Sequence, residues 1–219
     1  MKPQWLKTLY FSTMARLTVV NYGWRRIFPN LPKTGRAVLH LGCGANYISR
    51  PGVINVDGNL FCRKDLWLDI TLGLPFPDET IDVVLASHLL EHLDEKRVRR
   101  VLRESHRVLK PGGKVRLVTP DLKKAIDAYQ RGDAAYFSDW PDHRRSLGGK
   151  FNNELLCRDQ HRLMFDFSFL EEMLMDAGFV RCREVAPEAS SVFDGPEWID
   201  LQGDGVVSRR SLFIEADKG

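Results

Sequence analysis

The chain reads as an α/β fold, a mostly parallel sheet covered by helices on both faces, and three observations predict it. Short apolar runs alternate along the chain with longer segments of helical period. One run, 81–86 (IDVVLA), is almost continuously apolar, as a strand buried on both faces requires. The first run, 37–41 (AVLHL), passes at once into Gly42-Cys43-Gly44, a turn that lets backbone come close to a ligand.

In chain order, residues 1–36 hold seven basic residues and no acid, so they carry +7. The whole 219-residue chain is only +3, which leaves −4 for the remainder. Trp5, Leu6, Leu9, Tyr10, Leu17 and Val20 recur at roughly helical spacing, so 1–35 reads as a basic helical segment ahead of a domain at 36–219. The preferred reading is a helix folded over the ligand cleft. Peripheral attachment to a membrane surface comes next, then a cleavable organelle-targeting peptide. Lys7 and Arg16 bracket too short an apolar core for a secretory signal.

A second run, 53–56, ends in Asp57, and a third strand, 66–70 (LWLDI), again carries an acid, Asp69, near its end. The stretch 74–78 (LPFPD) is a proline-stiffened turn leading to strand 81–86. Asp94 caps a helix with Val98, Val101, Leu102, Val108 and Leu109 on one face. Pro111-Gly112-Gly113 ends it and opens strand 114–119. Asp121 starts a further helix, and an irregular insertion follows at about 131–161. Ser168 and Glu171 form a capping box for a helix that stops at Gly178. Runs 179–185 and 211–216 are the last strands.

At this length the chain builds one continuous core, and 43% hydrophobic with 28% charged residues is ordinary for a globular protein. No apolar run reaches a membrane span. Four cysteines without a CxxC pair read as reduced thiols of a cytoplasmic protein, not as a disulfide frame or zinc cage.

The chemistry starts at the glycine turn. Strand, glycine turn, strand and terminal carboxylate is how such a sheet grips a ribose, the acid accepting from the two hydroxyls. A dinucleotide fingerprint needs a third glycine and a long helix to hold a pyrophosphate. Here Tyr47 stands at that position, and Pro51-Gly52 cut the segment short. The stretch therefore suits ribose and adenine without phosphates, of which S-adenosylmethionine is the common example. The bland alternative is a tight turn between two core strands.

Taken in order, LHLGCG, NVD, LDI, LPFPDETIDVVLASHLLEHL, RVLKPGGKVRLVTPDL and DAGF resemble the class I S-adenosylmethionine-dependent methyltransferases, type 11 branch. The likeness is greatest to a short-loop subgroup found among cell-surface glycan genes, and it covers about residue 36 onward. It implies a Rossmann-like three-layer sandwich, with a seven-stranded sheet whose last strand is antiparallel and lies beside the fifth. It also implies that Leu41, Gly42, Cys43 and Gly44 form the cofactor loop and that Asp57 takes the ribose. Asp69 would take the adenine amino group with Ile70 flanking the ring, and Ser87 and His88 would sit beside the sulfonium. No metal is expected.

Acceptor residues should come from loops beyond the carboxyl ends of the strands. The candidates are Asp121, Trp140, His143, Arg144 and Asp166, with His161 as a general base able to titrate near neutrality. The expected acceptor is a small molecule or a glycan, met in the cytoplasm and at the membrane surface if 1–35 binds there. The acidic body disfavours nucleic acid. Two other classes compete. His88-Leu89-Leu90-Glu91-His92 matches H-x-x-E-H, a zinc hydrolase motif with Glu91 as base. A non-catalytic cofactor-binding module is the third.

Overall fold

The computed structural model describes residues 35–193 and 209–219, together with 9, 10, 13, 16, 19, 20 and 23. Trp5, Leu6 and Leu17 lie outside the described residues, as does most of the irregular stretch before the last strand. The strands are β1 (Val38–Leu41), β2 (Val53–Asp57), β3 (Leu66–Trp67), β4 (Ile81–Ser87), β5 (Leu109–Pro120), β6 (Phe179–Glu184) and β7 (Ser211–Lys218). They form one sheet in the order β3-β2-β1-β4-β5-β7-β6. β1 through β5 pair in parallel, while β7 runs antiparallel to both its neighbours. The antiparallel last strand thus sits beside the fifth, as expected.

Alternation along the strands shows why both faces are covered. Leu39, Leu41, Val84, Ala86, Val115, Leu117, Leu212 and Ile214 point into the main core. There they meet Val98, Val101 and Leu102 of α1 (Glu95–Val108) and Leu170, Met173 and Leu174 of α4 (Phe167–Asp176). Val38, Val83 and Leu85 point the other way, to Ile48, Val192 and Phe193. Each such aliphatic side chain removed from water contributes about 1.5–3 kcal/mol. In a separate small cluster, α2 (Leu122–Gln130) packs Ala125 and Ala128 on Phe137, with Leu147 and Phe151 of α3 (Leu147–Leu156) alongside.

Three expectations are corrected. The third strand ends at Trp67, not Ile70, because Asp69 caps a 3-10 turn over Ile70–Leu72 and accepts from the Thr71 amide and hydroxyl. The helix after the insertion is capped by Asp166, whose Oδ1 accepts from the Phe169 amide, so Ser168 lies one turn position inside it. The insertion is not irregular throughout: Ser146 caps α3, and its hydroxyl accepts from Gly149 N.

The connection between β1 and β2 contains no helix. Midway along it, the backbone of Ile48 is satisfied by one buried side chain instead. Asn55 Oδ1 accepts from Ile48 N at 2.9 Å, and its amide donates to Ile48 O at 2.9 Å. Asn55 Oδ1 also meets His40 Nδ1 at 3.1 Å, so His40 is a hydrogen-bonded core residue as the sequence suggests.

Candidate functional site

Two separate groups of residues lie at the carboxyl ends of the central strands. The first is the glycine turn after β1. Gly42 N and Cys43 N both reach Val56 O, at 2.8 and 3.1 Å, which folds the turn over the end of β2. Gly44 N donates to Asp57 Oδ2 at 2.7 Å, and Asn59 N to Asp57 Oδ1 at 2.6 Å. A carboxylate has about four acceptor positions, so these two amides leave room for both hydroxyls of a ribose. Gly42 (φ 64°) and Gly44 (φ 50°) are left-handed. A Cβ on Gly44 would meet nothing closer than Gly42 O at 4.0 Å, so there is open space where a ligand would lie. The residues present therefore fit an adenosine.

Cys43 is buried, and burial, with the Asp57 charge adding to it, pushes its thiol up to about 12. It fills the turn as a small neutral side chain and is not a nucleophile. Leu41 and Ile70 belong to the main core. Asp69 holds the 3-10 turn through Oδ1, and Ser87 ends β4.

The second group surrounds a cavity of about 380 Å³, lined by His88, Glu91 and His92 together with Ser138, Trp140 and Asn153. Pro120, Glu154, Cys157, Gln160, His161, Arg210 and Ser211 complete its wall. It includes neither Gly44 nor Asp57; His88, just past β4, is its nearest approach along the chain to the glycine turn's neighbouring strand. His88 has φ 49°, with Nδ1 3.2 Å from Glu91 Oε1 and Nε2 3.2 Å from Ser211 Oγ.

Of the acceptor candidates, His161 and Trp140 line this cavity. The other four do not. Asp121 and Asp166 are helix caps, accepting from Lys124 N and Phe169 N. His143 and Arg144 are exposed and face Asp139 and Asp142. His161 Nδ1 lies 3.1 Å from Glu154 O, and burial lowers the ring's pKa against the opposing pull of Glu91. With Nδ1 donating to that carbonyl, the ring offers Nε2 as its accepting nitrogen.

Residues missed from the sequence come from far along the chain. Arg210 reaches Glu154 Oε2 at 3.0 Å, and Asn153 donates to Trp140 O at 2.8 Å, fixing the aromatic at the rim. Asn153 sits at a buried position of a helix whose spacing carried no such signal.

The zinc-hydrolase reading needs His88 and His92 on one helical face. The structure corrects this: His88 is left-handed, and only Leu90–His92 form a 3-10 turn.

Comparison with known proteins adds to this geometry. Residues 64–117 match the methyltransferase domain family. A ubiquinone/menaquinone biosynthesis C-methyltransferase, UbiE of Citrobacter koseri, is 32% identical over 113 residues, covering 49% of this chain and 42% of that protein. The chain thus spans less than half the length of the curated relatives it matches. A SAM-dependent methyltransferase from Archaeoglobus fulgidus superposes with a TM-score of 0.53 at 19% identity, covering 92% of this chain and 94% of the other. A SAM-dependent methyltransferase from Thermotoga maritima, titled a possible histamine N-methyltransferase, gives 0.52 at 15% identity, covering 99% and 96%. These structural likenesses concern the fold. Sheet order matches the fold of these solved structures, and the stretch 64–117 is similar to methyltransferase domains, so S-adenosylmethionine is the expected cofactor.

Proposed function

We propose that the chain moves a methyl group from S-adenosylmethionine to a small-molecule or glycan acceptor held in the cavity beside His88. The carrying observation is one of position. The glycine turn and Asp57 stand at the ends of β1 and β2, and the cavity opens at the ends of the adjoining β4 and β5, with His88 between them. In this reading Asp57 holds the ribose, Asp69 the adenine, and the Gly42–Gly44 backbone the methionine part. The cofactor supplies a strongly electrophilic methyl group. What remains for the protein is to align the acceptor and exclude water.

The acceptor cavity supports that division of labour. Trp140 lines it while staying largely exposed, an aromatic surface of the kind sugar rings and other flat acceptors favour, and Asn153, Glu154 and Arg210 supply polar contacts. The accepting Nε2 of His161 is the natural proton acceptor for a hydroxyl nucleophile. The protein is proposed to work in the cytoplasm, with the basic 1–35 segment lying toward the cofactor side. Tyr10, one of its described residues, bonds to the loop just after Asp57.

The test pairs binding with turnover. Calorimetry with S-adenosylhomocysteine should show binding that Asp57→Ala removes, and labelled methyl should pass to a component of an extract from the source cell. Binding without transfer to any fraction favours the non-catalytic module. No binding by the folded protein overturns the reading.

A further inference from the structure

We propose that Glu91, His92 and His161 bind one zinc-type divalent cation at the edge of the acceptor cavity. One ligand atom from each lies within 4.8 Å of the other two. All three residues line the cavity.

The histidine tautomers are set for it. His92 Nδ1 lies 3.1 Å from Gln160 O, and His161 Nδ1 lies 3.1 Å from Glu154 O. A carbonyl oxygen only accepts, so Nδ1 is the donor in both rings, and the tautomer this selects is the one that offers Nε2 to a metal. Outer carbonyls that fix the ring in this way are the usual companions of metal-binding histidines. Glu91 is the second, independent sign. It is 1% exposed, its Oε1 meets His88, and its Oε2 has no hydrogen-bond partner among the described residues. A buried carboxylate oxygen without a partner is costly, and a cation would supply the missing one.

Backbone bonds hold the cluster together across 70 positions of sequence. Arg162 N and Leu163 N both donate to Glu91 O, at 2.6 and 3.3 Å. This staples the end of the insertion to the 3-10 turn bearing Glu91 and His92. Two histidines and a glutamate, with a fourth position left to water or substrate, form a donor set that suits catalytic zinc. Zinc–ligand bonds of about 2.0–2.1 Å put neighbouring donors about 3.3 Å apart, so the three side chains would draw in on binding. The set differs from the H-x-x-E-H reading, since His88 is spent on Glu91 and Ser211 and His161 takes its place.

Such a cation would bind an acceptor oxygen and lower its pKa so that its proton passes to water; in the metal-loaded protein His161 would be a ligand, and its role as base would belong to the metal-free site. That role rests on the methyl-transfer reading. Cation binding itself does not. The test uses the whole chain, stripped with a chelator and titrated with Zn²⁺ and with Co²⁺ in the absence of S-adenosylmethionine. One equivalent should bind, and the cobalt spectrum should show d–d bands without a thiolate charge-transfer band. His92→Ala, at an exposed position, and His161→Ala should each weaken binding at least a hundredfold, whereas Cys62→Ser should not change it. A thiolate band would move the ion to Cys43, Asp57 and Cys62, the other donor cluster among the described residues, and overturn the proposal. So would unchanged affinity in His92→Ala, or no binding at millimolar metal. Calorimetry with S-adenosylhomocysteine on the same samples reports on the cofactor site separately.

Discussion

The Gly44 amide donates to Asp57 Oδ2 at 2.7 Å, tying the glycine turn after β1 to the acid that ends β2. A hydrogen bond to a charged group contributes about 1.5–3 kcal/mol. Asp57→Ala removes this brace and the proposed ribose partner together. S-adenosylhomocysteine affinity should fall at least tenfold by calorimetry, with the circular dichroism spectrum preserved. Asp57→Asn keeps one acceptor oxygen and should fall between. Wild-type affinity in Asp57→Ala would remove the acid from the cofactor site.

Gly42 makes a second, separable prediction. Its φ is 64°, and a Cβ there would stand 2.6 Å from Leu89 Cδ1. The steric part can relax, because Leu89 ends in a flexible side chain. The left-handed backbone cannot, and it costs about 1–2 kcal/mol for a residue with a Cβ. Gly42→Ala should therefore lower the urea midpoint, and adding Leu89→Ala should not restore it. Full restoration would show that the contact alone was at fault.

How much of this was legible in the sequence depends on how far apart the partners lie. β1, β2 and β4 show through because apolar runs and turn residues are local signals, and Asp57 because it ends such a run. The apolar pattern makes the third strand longer than it is: Leu68 and Ile70 are buried, but Asp69 bonds to Thr71 two residues on and bends the chain. α3 was hidden because Gly148-Gly149 and Asn152-Asn153 look like loop, while Ser146 supplies the cap. The cavity was the least legible part. Its wall joins Glu91 to His161 and Glu154 to Arg210 through contacts that no periodicity encodes.

Arg116 and Glu215 face each other across β5 and β7, both essentially buried, with Nη1 2.7 Å from Oε1. Burial works against ionising Glu215, but hydrogen bonds from Ser191, Ser190 and Arg116 outweigh it and hold the carboxyl below its usual 4.5. Asp217 is likewise held low, its burial outweighed by Lys114 and Arg181. A depressed folded-state pKa stabilises the protein fully above the unfolded value and loses that contribution as pH falls through the folded one. The urea midpoint should thus vary little with these groups above about pH 5 and fall steeply below about pH 4. Glu215→Gln should flatten that acid slope. Arg116→Met alone should cost about 3–5 kcal/mol by stranding a buried carboxylate, and Arg116→Met with Glu215→Leu should recover much of it.

Tyr10 tests what the basic segment does. Its hydroxyl donates to Gly58 O at 2.7 Å and accepts from Leu60 N at 3.1 Å. Between these two positions, Asn59 N donates to Asp57 Oδ1. Tyr10 therefore braces the loop that braces the acid. Tyr10→Phe removes only the hydroxyl, and Gly58 O still accepts from Trp67 Nε1 at 2.9 Å, so the loop is loosened without a carbonyl being stranded. A neutral hydrogen bond contributes about 0.5–1.5 kcal/mol, so Tyr10→Phe should lower the melting temperature of the free protein slightly and S-adenosylhomocysteine affinity by up to about tenfold. Co-sedimentation with anionic vesicles supplies the contrast. If the segment serves the cofactor cleft, saturating ligand should leave vesicle binding weak in wild type and variant alike. Strong vesicle binding with wild-type ligand affinity in Tyr10→Phe would assign the segment to the membrane surface instead.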